Sequence, residues 1–291
     1  MNIKRLETSR LFHRFGFGPR PGEYAQAIKD GIDVTRTKLT IAPAVQTTIT
    51  PIATPEITDL GKRPEPNSKE IVPFAIALRT QEQQMGLWWL DLMALSDHGL
   101  TEKMTWFWHG HWATSIQKLN YPLPMFNQNK TLRTQSLGNF NTMVKAMLND
   151  GALQFWLDGQ DSTSKAPNEN LGRELMELFV LGVNRYSEDD VKAISRALTG
   201  YQVVRSTGQV SINPSRRDTK PVTLLGTTAS FTGDSLSDFL VARDDCAQFI
   251  SERLWYRFIS STEVMPASFS AKSAFASRDI ATAVKAMAAD A

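Results

Sequence analysis

The chain has 291 residues, with 32 Lys and Arg against 30 Asp and Glu, a formal net charge of +2, and 42% hydrophobic residues. That is enough apolar material for one large core or two small ones. The balanced charge excludes a basic nucleic-acid footprint, and a lone cysteine, Cys246, excludes an internal disulfide framework.

No uninterrupted apolar run reaches the ~20 residues of a membrane-spanning helix. The first residues, Met1 to Thr8, turn charged before any apolar stretch develops, so no signal peptide is read and the default expectation is cytoplasmic, with a periplasmic setting left open. Residues Thr8 to Phe15 read as a short helix capped by Thr8 or Ser9 and stopped at Gly16. Gly16 to Gly22 is a tight connection. It lacks the preceding strand that a phosphate loop requires. Glu23 to Asp30 is a second helix closed by Gly31, so residues 1–40 form an N-terminal helical pair. Prolines at 43, 51, 55, 64 and 66 make residues 41–68 an extended Pro/Thr-rich arm.

A main helical domain over 69–291 follows. Lys69 to Ser96 carries apolar residues at helical spacing, with Gly99 as a left-handed cap after it. Thr101 then caps a helix from Glu102 to Ala113, rich in Trp106, Trp108 and Trp112. Six of the seven tryptophans lie between 88 and 156, which suits a filled helical core or an aromatic-lined pocket. His109 and His111 diverge by about 200° on a regular helix, so only one faces the centre unless Gly110 breaks the turn. Tyr121 to Pro124 reads as a turn, and a helix begins at Asn127. Phe140 to Leu148 is amphipathic, Ala152 to Leu157 is a short apolar helix or turn, and 158–165 is a polar loop.

Pro167 to Phe179 is the stretch around which the rest is organised. With Asn168 as N-cap, Leu171, Leu175, Met176, Leu178, Phe179 and Val180 cover most of the helix, and Asn170, Arg173, Glu174 and Glu177 share the remaining strip. Ser187 to Asp190 starts the next helix with a near-capping-box, and capping alone accounts for its acids. Residues 201–233 hold the β-character, Asp238 to Ile259 returns to helix, and a helix from about Ala276 to Ala291 is uncapped, as in a fragment of a longer chain. The expected fold is mainly α, an irregular multi-helix bundle with a small β-hairpin excursion near 201–233.

The motifs Leu11-Phe12-His13-Arg14-Phe15-Gly16-Phe17-Gly18-Pro19, Glu102 to Ser115, Leu137-Gly138-Asn139-Phe140, Pro167 to Gly182, and Arg196-Ala197-Leu198-Thr199-Gly200-Tyr201 stand in one order along nearly the whole chain. In these motifs the chain resembles the bacterial family of domain of unknown function 1800. The resemblance implies a helix-rich bacterial protein, often longer than this one, whose gene lies beside that of a sulfatase-like protein. It implies no activity. Similar sequences carry a His-Asp pair where Arg217 precedes Asp218 here.

Two functions fit the polar strip. In the first, the protein is a non-catalytic scaffold or a maturation or secretion partner of the sulfatase-like protein. Glu169–Arg173 and Arg173–Glu177 are then one-turn ion pairs of a buried clamp, and Asn170 ties a neighbouring loop. In the second, His109, His111, Asn170, Arg173, Glu174 and Glu177 form an enzyme site between the 102–113 and 169–181 helices. Its chemistry is acid/base, or that of a divalent metal held by His109, His111, Glu174 and Glu177. The repeated Glu-x-x-His of helical di-iron sites is absent, and no nucleophile elbow supports a Ser–His–Asp arrangement.

Overall fold

The computed structural model describes residues 3–41, 48, 50–269, 272 and 274–290. The N-terminal region is three helices rather than two: α1 (Ile3–Arg14), α2 (Glu23–Asp30) and α3 (Ile32–Thr40). Gly31, at φ 88°, reverses the chain between α2 and α3 in a conformation that other residues adopt only under strain. The described part of the arm carries no helix or named strand before α4 (Ile71–Leu95). It is strapped down nonetheless. Ile57 packs with Trp88 and Phe126, Gln81 Nε2 donates to Thr58 Oγ1 at 2.9 Å, and the Tyr121 hydroxyl donates to the Gly61 carbonyl at 3.0 Å.

The chain continues through α5 (Gly99–His111), α6 (Ile116–Leu119), α7 (Pro122–Gln135), α8 (Phe140–Leu148) and α9 (Gly151–Trp156). Two expected boundaries move. Helix α5 starts at Gly99, so Gly99 is not a left-handed cap. A Cβ there would lie 3.2 Å from the Gly16 Cα, which makes this glycine the close approach between the end of α1 and the start of α5. Helix α7 starts at Pro122 rather than Asn127. Proline in a first helical turn forfeits only an amide that would be unpaired anyway.

Next come α10 (Glu169–Glu174), a π-helical turn (Leu175–Val180) and α11 (Glu188–Ala197). The β-excursion is two antiparallel hairpins. Strands β1 (Tyr201–Val204) and β2 (Gln209–Ile212) pair with Tyr201 opposite Ile212, and β3 (Val222–Leu224) and β4 (Thr227–Ala229) pair with Val222 opposite Ala229. The β3–β4 turn places both Leu225 (φ 48°) and Gly226 (φ 82°) in the left-handed region, as a two-residue hairpin of this twist demands. The helix expected from Asp238 to Ile259 is two, α12 (Gly233–Val241) and α13 (Asp244–Phe258), and a closing helix runs Ile280–Asp290. The mainly helical fold with a small β-excursion is what the periodicity indicated.

One core cluster draws Met104 and Trp108 from α5, Phe140 and Met147 from α8, Leu175 and Phe179 from the π turn, Ile194 from α11 and Leu254 from α13. Each such side chain, removed from water, contributes about 1.5–3 kcal/mol. Within it α5 and α7 share a buried ion pair. The Glu102 carboxylate, 0% exposed, accepts from Arg133 Nε at 2.6 Å and Nη2 at 3.0 Å, while the guanidinium covers the Trp88 ring.

Candidate functional site

Asn168 begins α10 as its sequence position suggests. Its Oδ1 accepts from Asn170 N at 2.9 Å, and its Nδ2 donates to the Asp158 carbonyl at 2.9 Å, fixing the helix to the loop before it. Gly172 lets α10 cross α11 closely, since a Cβ there would sit 2.7 Å from Ile194 Cγ2. Past Glu174 the helix widens. The Leu181 amide donates to the Met176 carbonyl at 2.8 Å, five residues back, and the Gly182 amide reaches the same oxygen at 3.0 Å. A wider turn shifts the facing of every side chain in it. Leu178, expected on the apolar side, is consequently 47% exposed.

A cleft of about 670 Å³ opens beside this π turn, between α5, α10 and α13. His111, Asn170, Glu174 and Glu177 line it, joined by Trp156 and by Arg253. Glu174 forms no hydrogen bond with any described residue, and its acidity is weakened by burial and by the neighbouring Glu177 charge, with Arg173 opposing. Glu177 accepts the Tyr186 hydroxyl. Burial and that carboxylate push the Tyr186 hydroxyl up to about 12.

Two expected members stand elsewhere. Arg173 turns to α11 and clamps Glu188 through two bonds of 2.7 and 2.9 Å, with Glu169 at 3.3 Å. The Arg173–Glu177 pair does not form. The acids at the start of α11 therefore do more than cap it. Glu188 holds Arg173, and Asp190 closes the capping box with Ser187 while accepting the Leu225 amide at 2.6 Å. His109 lies against the edge of Trp89 and lines a neighbouring recess with Trp106, Tyr256 and Arg257.

His111 is the histidine that faces inward. Its Nε2 lies 2.8 Å from the Phe179 carbonyl. A carbonyl only accepts, so Nε2 carries the proton and Nδ1 is left with a lone pair. That Nδ1 is buried with no partner, as is the Trp112 indole N–H. Burial pushes the imidazole down to about 3, so the ring is neutral. Among the described residues, no group of three or more His, Cys, Asp or Glu is placed to hold a metal ion. Lys118, Trp156, Phe249 and Arg253 also come to the cleft, from three separate elements that no spacing in the sequence links. Only the concentration of tryptophan signalled any of them.

A model of a family described as protein of unknown function (DUF1800) matches residues 10–291. The chain belongs to this family. No curated protein and no solved structure matches it. In this DUF1800 member Asp218, which follows Arg217, is held in a hydrogen-bond network. Asp218 accepts from Arg196 Nε at 2.8 Å and from the Lys220 amide at 2.9 Å, and its own amide donates to Thr199 Oγ1 at 2.7 Å.

Proposed function

We propose that the cleft is an acid–base site for a polar ligand, in which Glu174 carries the exchangeable proton and Glu177, oriented by Tyr186, is its electrostatic partner. The observation behind this reading is that Glu174 lines the cleft, is without a hydrogen-bond partner among the described residues, and is a weakened acid. A carboxyl group with a purely structural role is normally hydrogen-bonded or ion-paired. Asn170 supplies donors and an acceptor for the ligand, and Trp156 an apolar face. The clamp of the structural reading is outside the cleft, on Arg173, Glu169 and Glu188. A metal-dependent form would need the unprotonated Nδ1 of His111 to reach an ion together with Glu174 and Glu177, with His109 left out.

Carboxyl-resolved NMR titration tests the acid–base reading without a substrate. The Glu174 midpoint is expected above the ordinary carboxylate range and is expected to fall in Glu177→Gln, which removes the like charge. An ordinary midpoint that ignores Glu177→Gln would overturn it. With a substrate in hand, Glu174→Gln is expected to lower kcat about 10²–10⁴-fold with KM little changed.

The second reading, a scaffold or maturation partner of a sulfatase-like protein, draws on one observation. Val72, Ile76, Leu87 and Leu90 project from one face of α4 and are 61–63% exposed. The identity of that partner rests on the family resemblance alone.

A further inference from the structure

Beyond Gly110 the cleft meets the recess that holds His109, about 300 Å³ in volume, and the two share Gly110 and Arg253 as a common rim. The recess is cationic. The Arg257 guanidinium lies 3.8 Å from the Trp106 ring centroid, and Lys103 Nζ approaches the same ring at 5.4 Å. Arg253 and Arg257 are one turn apart on α13, where like charges repel. Elsewhere in the fold Arg133, Arg173, Arg185 and Arg196 each have a carboxylate. Lys103, Arg253 and Arg257 have neither a carboxylate nor a hydrogen-bond partner among the described residues, and Lys103 is half-sequestered from water as well. Two unneutralised guanidiniums lining one recess, with Lys103 near the adjoining Trp106 ring, are held together more favourably when an anion joins them.

Gly110 adds an independent sign. It sits in the last turn of α5, one residue before the helix ends. Packing gives no reason for it, because a Cβ there would meet nothing within 4 Å. What the missing side chain does is leave the backbone bare at the junction of the two cavities.

We propose that this recess is an anion subsite, which takes a phosphate or sulfate group of a small soluble ligand whose other end occupies the Glu174 cleft. The placement of the ligand's other end rests on the reading of the cleft given above; the anion binding does not. The two guanidinium forks that line the recess match a multiply charged oxyanion better than a single carboxylate.

Calorimetric titration of the whole chain with inorganic phosphate tests this, with acetate at matched ionic strength beside it. Saturable one-to-one phosphate binding is expected, at least fivefold tighter than acetate, and at least tenfold weaker in Arg257→Gln and in Arg253→Gln. Both arginines are exposed, so these variants should keep the wild-type far-ultraviolet dichroism and denaturation midpoint. Unsaturable binding, parity with acetate, or wild-type affinity in both variants would overturn the subsite. Glu174→Gln is expected to retain phosphate binding, and that separates the two readings. A normal Glu174 midpoint removes the acid–base site alone, and absent phosphate binding removes the anion subsite alone. Co-sedimentation with phosphatidylglycerol vesicles distinguishes a lipid headgroup. No retention is expected, and retention lost in Arg257→Gln would overturn the soluble form.

Discussion

His111 shows how much one imidazole contributes to this site. Its folded-state titration lies near 3, against about 6.5 for an unfolded histidine. The native state therefore refuses a proton that the unfolded chain accepts. Its contribution to stability is complete above about pH 6.5 and is lost as pH falls through that window towards 3. Urea unfolding at pH 7.5, 6 and 5 is expected to show this decline. In His111→Phe the decline should flatten: the variant leaves the Phe179 carbonyl unsatisfied and is less stable by about 1–3 kcal/mol at pH 7.5, and the gap narrows as pH falls. An equally steep decline in the variant would assign the acid sensitivity elsewhere. Glu174 carries the opposite kind of perturbation. Its acidity is weakened in the fold, so burial favours its protonated form, and that makes it the more informative residue for function.

At the scale of elements, the α10–α11 crossing and the π turn decide where the carboxylates point. Gly172 is the contact that brings the two helices together. An added methyl would lie 2.9 Å from Ser195 Oγ and 3.2 Å from the Ser195 amide, atoms that cannot retreat without moving α11. Gly172→Ala is therefore expected to destabilise the protein by about 1–3 kcal/mol, read as a lowered denaturation midpoint. Because Arg173 and Glu188 bridge the same pair of helices, Arg173→Gln tests the alternative that the ion pair sets the crossing. That pair is surface-exposed, and its loss is expected to lower the denaturation midpoint less than Gly172→Ala does. A larger cost for Arg173→Gln than for Gly172→Ala would reverse the assignment.

At the scale of the whole molecule, the arm, α4 and the two cavities divide the surface. Among the described residues no helix is long and apolar enough to cross a membrane. The double substitution Ile76→Glu and Leu87→Glu alters only exposed positions and is expected to change stability by no more than about 0.5 kcal/mol. If the scaffold reading holds, the same variant loses capture of a purified sulfatase-like partner. Undiminished capture would remove α4 from that role. Ile76 and Leu87 line neither the cleft nor its cationic neighbour, so these substitutions are expected to leave phosphate binding unchanged.

Local chemistry by itself determined the helix content, the N-cap at Asn168, the capping box at Ser187 and the stop at Gly31. All of these are written within about four residues, the reach of a helical turn or a cap. It also placed Glu174 and Glu177 on the polar side of a buried helix. Partner choice was beyond it. Arg173 has carboxylates one turn away on either side at Glu169 and Glu177, and spacing alone treats them alike, yet Arg173 keeps Glu169, leaves Glu177 and takes Glu188, which the α10–α11 packing delivers. The π turn that exposes Leu178 has no signature in apolar periodicity, because one extra residue in a turn leaves composition unchanged. Trp156, Arg253 and Lys118 reach the cleft from elements up to nearly half the chain apart, and only the closure of the core around Trp108 and Phe179 brings them together. Sequence sets which groups each element carries. Tertiary packing sets which of them meet, because that depends on the summed geometry of many turns.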